Sequence, residues 1–592
     1  MKRSYFLYSG AKKISYVHQA SSIPFLNETI GQRFRKSTEK NPDRIYCIFS
    51  KQNVKKSYEK LYEESYRLAS SLIALGLRPG DRVGMWGPNY YEWIQTHFAC
   101  AQAGFVLVNV NPFYRVPELE YALKKVGVKA LVTPSSYRNS QYYGSVTEII
   151  PELVNRKPGD GEIKSHLLPN LKHLIVFDPN DKSKKFNGAW NLEDLSTGAG
   201  SEADRFLKDI QSKINYDDPF NVQFTSGTTG SPKAVTLTHF SILNNANFIG
   251  LNSNFDKTRE VICVPNPLYH AFGCVAGLLT AVAHSQTLLF PSETFSAAAA
   301  LPAIEKEKAT FIYGTPTMFI DILNHEKFEK TDVSSVSGGY ISAAPIPKPL
   351  MERMLEKLNM HRIQVLYGCT EASPVITTAT LQQTPQDRIK NSGYTMDHSE
   401  TAIINQQSGL PVPRGEQGEL VTRGYHVMRG YWGDEEKTKE AIDVKRWYHT
   451  GDIAVMADDG AISIVGRLKD MIIRGGENVY PAEIETTIFR HPAVADVHVI
   501  GVPDVRLGEE ICAWIRLKDG KTLTADELID YCKDKMARHS IPRYILFKKE
   551  HDFPLTATGK VQKFELRSIS KKELGLEDAN FKLEYFQENF GF

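Results

Sequence analysis

The run Asn221-Val-Gln-Phe-Thr-Ser-Gly-Thr-Thr-Gly-Ser-Pro-Lys233 packs five hydroxyls, two glycines and one ammonium into a short stretch. Val222 and Phe224 read as the apolar end of a strand that turns abruptly polar. Gly227 and Gly230 let the backbone adopt unusual φ values and come close to a ligand. Consecutive N–H groups, the hydroxyls of Thr225, Ser226, Thr228 and Thr229, and the charge of Lys233 suit a polyphosphate. The spacing is not that of a Walker loop, so a nucleotide phosphate held here belongs to a different fold. A surface loop rich in Ser, Thr and Gly has the same composition, and the residues further along must decide.

Five further stretches carry chemistry. In Pro265–Gly273, Tyr269, His270 and Phe272 place aromatics beside a histidine, as in the wall of a ligand pocket; a satisfied core histidine is the alternative. Val333–Pro345 has a strand followed by small residues, where backbone can pass close to a flat ring. Leu366-Tyr-Gly-Cys-Thr-Glu371 ends an apolar strand with Tyr367, able to stack on a base, and Glu371, able to hold Mg²⁺ through oxygen. Trp447–Ile453 puts Asp452 after a turn, where one carboxylate can accept from two neighbouring hydroxyls, as in a ribose diol; an ordinary Asx turn is the alternative. Leu555-Thr-Ala-Thr-Gly-Lys560 is a polar, glycine-tipped loop that ends in a lysine.

Together, Gly-Thr-Thr-Gly-Ser-Pro-Lys233, Tyr367-Gly-Cys-Thr-Glu371, Thr450-Gly-Asp452, Gly466-Arg-Leu-Lys-Asp470 and Thr558-Gly-Lys560 resemble the motifs of the adenylate-forming superfamily. That superfamily includes acyl-CoA synthetases, luciferases and peptide-synthetase adenylation domains, and the resemblance covers roughly residues 30 to 570. The nearest likeness is to the fatty-acid–CoA ligases, through Ser15-Tyr-Val-His18, the Thr225–Thr238 stretch, Gly475–Pro481 and Thr558–Lys563. One departure is Ala234, where such proteins usually have glycine.

The resemblance implies roles. Thr225, Ser226, Gly227, Thr228, Thr229 and Lys233 wrap the β- and γ-phosphates of ATP. Tyr367 stacks on adenine, with Ala343 and Ala344 near the same ring. Thr370 touches the α-phosphate, Glu371 binds Mg²⁺, and Asp452 and Arg467 hold the ribose. Lys560 reaches across from a small C-terminal domain to help a carboxylate attack a phosphorus ringed by anionic oxygens. In a second step the thiol of CoA attacks the acyl-adenylate. The small domain then turns about a hinge at Lys469, Gly475 and Gly476 line the pantetheine tunnel, and His270 joins the wall between acyl pocket and thiol.

The elements that position these residues follow from patterning. Tyr58 to Leu75 and Leu119 to Val126 have helical spacing, and Arg82–Trp86, Phe105–Val110, Ala130–Val132 and Leu171–Phe177 are short apolar strands. That alternation predicts an α/β protein with doubly wound parallel sheets. Residues 178 to 204 read as exposed loop and 202 to 218 as a charged stretch. Ser241 to Ala246 reads as a helix whose positive end favours the anion held at Thr225–Lys233. Val494–Ile500, Ile511–Leu517, a capping box at Thr524–Glu527 and Tyr544–Phe547 form a compact α+β unit. The expected organisation is a basic leader over 1–30, an AMP-binding domain over 31–468 with a barrel-like subdomain implied by the resemblance, and a small mobile domain over 469–592 hinged at 469.

Composition sets limits. The chain of 592 residues carries 71 basic and 69 acidic side chains, a net charge of +2, which argues against nucleic acid as a partner. Seven scattered cysteines without a Cys-x-x-Cys pair fit a reducing compartment. No apolar run is long enough to span a membrane. An acid-poor start with Lys2, Arg3, Lys12 and Lys13 points to the mitochondrion, with the cytoplasm as alternative. Only 32 residues follow Lys560, too few for a carrier domain, so a soluble thiol such as CoA is the expected acceptor. The substrates are then a fatty acid, ATP and CoA. Tyr269, Phe272, Val375 and Ile376 around the acyl pocket favour a medium or long chain. A module loading a separate carrier protein, a luciferase-like oxidase and a non-catalytic nucleotide sensor are the other readings.

Overall fold

A computed structural model describes residues 13–160, 162–225, 232–344, 346, 348–475, 477–555 and 561–576. Two large sheets form its centre. The first has eight strands, with Pro219–Thr225, Val106–Val110, Arg82–Trp86, Ala130–Pro134 and His173–Phe177 running parallel. At its edge Lys233–Thr238 folds back antiparallel on Pro219–Thr225, and Gly430–Tyr431 adds to that strand. The second has nine strands, with a parallel run through Ile45–Phe49, Thr287–Phe290, Val261–Cys263, Phe311–Gly314, Gly338–Ile341 and Arg362–Gly368. Val106-Leu-Val-Asn-Val110 is buried throughout, the signature of a strand covered on both faces.

Helices fill the layer between. Tyr58–Ala74 is capped by the Ser57 side chain, which accepts from the Lys60 N–H, and its chain turns away at Gly76 with φ of +91°. Tyr91–Ala103 is buried along its whole length, so even its polar side chains must find partners inside. Gln95 donates to Ser196 Oγ at 2.9 Å, and Gln102 to Ser65 Oγ at 2.7 Å.

Two sequence expectations change here. The charged stretch after residue 200 contains a helix, Ser201–Gln211, which buries Ala203, Leu207 and Ile210 on one stripe. The helix expected over Ser241–Ala246 exists as His239–Asn252, but it begins at the wrong end of the hairpin to meet an anion at Thr225–Lys233. Strand Lys233–Thr238 intervenes and runs back until Thr238 lies opposite Pro219, while Thr225 lies opposite Lys233. The Thr238 hydroxyl already caps this helix, accepting from Ser241 N–H.

A third sheet of five antiparallel strands joins Tyr16–Gln19, Ser399–Ile404, Gln417–Gly424, Tyr448–Met456 and Ile462–Arg467. The 3₁₀ turn Leu468–Asp470 follows it and leads into a fourth sheet, built on the long hairpin Val494–Asp504 and Gly508–Leu517. That C-terminal unit has cores of its own, one around Ile472, Val499 and Leu528 and another around Ile500, Trp514 and Leu566. The Thr524–Glu527 capping box forms as the sequence predicts. All seven cysteines are free thiols.

Candidate active site

The cleft is built where strands end. Thr225 closes one arm of the hairpin and Lys233 opens the other, as cross-strand partners whose side chains share a face. Ser226, Gly227, Thr228 and Thr229 lie outside the described residues. Ala234 sits in regular pairing with Phe224, is 1 % exposed, and packs in the cluster containing Trp86 and Val222. Its methyl therefore fills core.

A second wall is formed by three side chains brought from three elements. Tyr367, near the end of Arg362–Gly368, donates its hydroxyl to Asp452 Oδ2 at 2.6 Å. Arg467 Nε donates to the other oxygen, Oδ1, at 3.0 Å. Burial, reinforced by the neighbouring Asp452 charge, holds the Tyr367 phenol well above its usual range, so it stays a donor. Asp452 does not follow a simple turn. Between the Glu419–Ile453 and Val421–His449 pairs one residue of one strand faces three of the other, a bulge that pushes Thr450-Gly451-Asp452 out of the ladder. Gly451 takes φ of +67°, and Asp452 N–H is bonded by Thr450 Oγ1 at 3.0 Å. Glu419 fixes the bulge: Oε1 accepts from Gly451 N–H at 3.2 Å, and Oε2 lies 3.1 Å from His449 Nδ1. That hydrogen bond raises the His449 pKa above its ordinary value.

The third wall is the 3₁₀ turn Thr370–Ala372, directly after the same strand. Thr370 and Glu371 are both buried. Glu371 Oε1 accepts from the Tyr431 hydroxyl at 3.0 Å, and Met428 N–H donates to its carbonyl at 2.8 Å. The Tyr431 ring also lies under Lys233, with Nζ 4.8 Å from the centroid. Ala343 follows Gly338–Ile341 at the head of the neighbouring strand with φ of +77°, a strained conformation for a residue with a Cβ, and Ala344 is half-buried beside it.

His270 caps the short helix Ala271–Gly273, its Nδ1 accepting from Phe272 N–H at 3.2 Å, which puts the proton of the neutral ring on Nε2. Phe272 stacks on Tyr313 with the ring planes 10° apart, and the chain continues as a π-helix, Cys274–Leu279. Val375 and Ile376 are buried, and Val375 exchanges backbone bonds with the Asn245 side chain.

Lys469 stands in the 3₁₀ turn between the third and fourth sheets. Burial, then the Arg467 charge, lowers its pKa. Arg567 Nη1 donates to the Lys469 carbonyl at 3.3 Å. Gly475 has φ of +60° and donates to the Leu507 carbonyl at 2.7 Å. Gly476 and Lys560 lie outside the described residues; a bridge between Leu555 and Val561 closes the base of the Lys560 segment.

Residues 34–432 match the family model of the AMP-binding enzyme, and residues 483–560 match that of the AMP-binding enzyme C-terminal domain. The chain belongs to the AMP-binding enzyme family. Among relatives, a Danio rerio protein named medium-chain acyl-CoA ligase ACSF2, mitochondrial, is 44% identical, covering 95% of this chain and 91% of its own. A Bacillus subtilis (strain 168) protein named putative acyl-CoA synthetase YngI is 42% identical over 92% of this chain and 97% of its own. Among solved structures, the anthranilate CoA ligase AuaEII in complex with anthranoyl-AMP superposes with a TM-score of 0.79 at 25% identity, covering 94% of this chain and all of that one. The α/β fold is therefore that of the AMP-binding enzymes. No helix among the described residues is long and apolar enough to cross a membrane.

Tyr431, Glu419 and His449 are the site residues that sequence motifs did not single out. Tyr431 sits in a strand of two residues, too short for any periodicity, and only its distant pairing with Val235 brings it here.

Proposed function

We propose that the protein is an AMP-forming acid–CoA ligase that acts on a medium- or long-chain fatty acid. The carboxylate oxygen attacks the α-phosphorus of ATP and pyrophosphate leaves, giving an acyl-adenylate. The thiolate of CoA then attacks the acyl carbonyl, and AMP leaves with the C–O bond electrons.

The observation that supports the reading is a pair of contacts at strand ends: Tyr431 meets both Lys233 and Glu371, and Tyr367, four residues before Glu371, bonds Asp452. Lys233, with Thr225 and the hydroxyl-rich stretch between them, would hold the β- and γ-phosphates. Thr370 would bond the α-phosphate, and Asp452, set by Arg467 and Tyr367, the ribose hydroxyls. The Tyr367 ring and the backbone at Ala343 and Ala344 would enclose the base. Lys560 would stand between the two anions as they meet, in a domain arrangement reached by turning about Lys469; Gly475 and Gly476 would pass the pantetheine arm in the other arrangement. His270, held by its cap to Phe272 N–H, would separate acyl chain from thiol.

Among the described residues no group of three or more metal-ligating side chains occurs. A single carboxylate, Glu371, at the phosphate end fits Mg²⁺, which is ordinarily held by one or two carboxylates plus substrate phosphates. Bound there, the ion would neutralise charge on the phosphate oxygens. The mitochondrial names of vertebrate relatives and the basic N-terminal residues support a mitochondrial location.

A panel of C2 to C18 acids in a CoA-dependent pyrophosphate-release assay tests the proposal. The expected maximum falls on medium or long chains; activity confined to acetate or to an aromatic acid refutes it.

A further inference from the structure

Lys233 and Glu371 carry opposite charges at the same end of the cleft, yet no ion pair joins them among the described residues. Both are needed for the same triphosphate, the lysine on its oxygens and the carboxylate through a cation. A direct pair between them would have to break before ATP could bind. One side chain engages both. The Tyr431 ring lies 4.8 Å beneath Lys233 Nζ, and its hydroxyl donates to Glu371 Oε1 at 3.0 Å.

We infer that Tyr431 is a positioning residue that keeps Lys233 and Glu371 apart, offering the ammonium a ring face and the carboxylate a hydroxyl so that neither neutralises the other. The inference rests on the reading that this cleft takes ATP.

The backbone around Tyr431 is built to hold it there. Arg429 N–H donates to Thr236 O at 3.0 Å and Trp432 N–H to Ala234 O at 2.7 Å, lacing the segment to the strand that carries Lys233. Met428 N–H donates to Glu371 O at 2.8 Å, lacing it to the turn that carries the carboxylate. Tyr431 N–H donates to Thr438 Oγ1 at 2.9 Å, and Thr438 Oγ1 donates to Asp434 O at 2.7 Å. Met428, Arg429 and Trp432 thus tie two distant parts of the chain together with Tyr431 between them. A ring face attracts the ammonium more weakly than a phosphate does, so it holds Lys233 without competing with the ligand.

The test is a double-mutant cycle on equilibrium binding of ATP in EDTA, read by calorimetry with neither acid nor CoA present. Tyr431→Leu removes both contacts, and Tyr431→Phe removes the hydroxyl alone. Freed from Tyr431, Glu371 pairs with Lys233, so Tyr431→Leu weakens ATP binding about tenfold and Tyr431→Phe about threefold. Glu371→Gln improves metal-free ATP binding in any background by removing a like charge. The expected result is that this gain is at least about fivefold larger in Tyr431→Leu, and about threefold larger in Tyr431→Phe, than in the wild type. Equal gains in all backgrounds make Tyr431 a packing residue only and overturn the inference. If Tyr431→Leu does not fold, the Phe cycle alone decides. Wild-type protein that binds no ATP even when Mg²⁺ replaces EDTA would instead sink the assignment of the cleft, a separate failure.

Discussion

Asp452 and Arg467 stand directly opposite one another on adjacent antiparallel strands, with Nε donating to Oδ1 at 3.0 Å. The strand pairing gives both side chains a common face, beside the bulge around Gly451. Tyr367 bonds the second carboxylate oxygen from a different sheet, so the group is fixed before any ligand arrives.

Asp452→Asn tests this preorganisation. The amide is a poorer acceptor for Tyr367, and Arg467 loses its counterion. Hydrogen bonds to charged groups are worth about 1.5–3 kcal/mol, so KM for ATP should rise roughly tenfold or more. Initial rates of pyrophosphate release against ATP concentration provide the measurement. An unchanged KM would show that this carboxylate does not hold the ribose.

His449 and Glu419 give the bulge a pH dependence. The hydrogen bond that His449 donates to Glu419 raises the folded-state pKa of the histidine above the unfolded value of about 6.5. The stability this provides is fully present below about pH 6.5 and disappears as pH climbs through the raised value. The gap in melting midpoint between wild type and His449→Gln should therefore be largest below about pH 6.5 and shrink as the pH rises above it. A gap that stays constant as the pH rises would mean the charge on His449 has no part in it.

Much of this site is legible in the sequence because its residues sit at strand ends, where an apolar run breaks into polar or small residues: Phe224-Thr225, Ile341-Ser342-Ala343, Leu366-Tyr367. Local rules also give the Thr524 capping box, since its two bonds close within four residues. What stays hidden depends on pairing across the chain. Nothing near Tyr431 announces that Val235 will be its neighbour, nor near Glu419 that it will accept from Gly451. The helix Ser201–Gln211 escapes notice because charged residues dilute its apolar stripe to three positions. The helix at His239 fails as an anion site for a topological reason: the intervening strand carries the chain back to the far end of the hairpin.

Ala234 provides a stability prediction. Its methyl is enclosed, and a glycine in its place both frees the unfolded backbone and removes buried apolar surface. Ala234→Gly should cost about 1–2 kcal/mol of stability while KM for ATP changes by less than roughly twofold. Denaturant titration and ATP kinetics on the same preparation separate the two. A large change in KM with unaltered stability would place the methyl in the phosphate site instead of the core.

The role proposed for Lys560 separates the two half-reactions. Adenylation brings a carboxylate against phosphate oxygens, and a cation between them offsets repulsion that grows as the atoms approach; losing one such stabiliser typically costs about 10²–10³ in rate. Thioester formation attacks a carbonyl carbon already activated by the leaving AMP, so it has no use for a charge at that position. Lys560→Ala should slow pyrophosphate release from acid and ATP by about 10²–10³ and leave thioester formation from synthetic acyl-adenylate and CoA within roughly threefold of wild type. The contrast holds only if the C-terminal unit presents different faces in the two steps, with Lys469 as the pivot and its carbonyl held by Arg567 in the arrangement seen here. Equal losses in both half-reactions would mean that one fixed arrangement serves both.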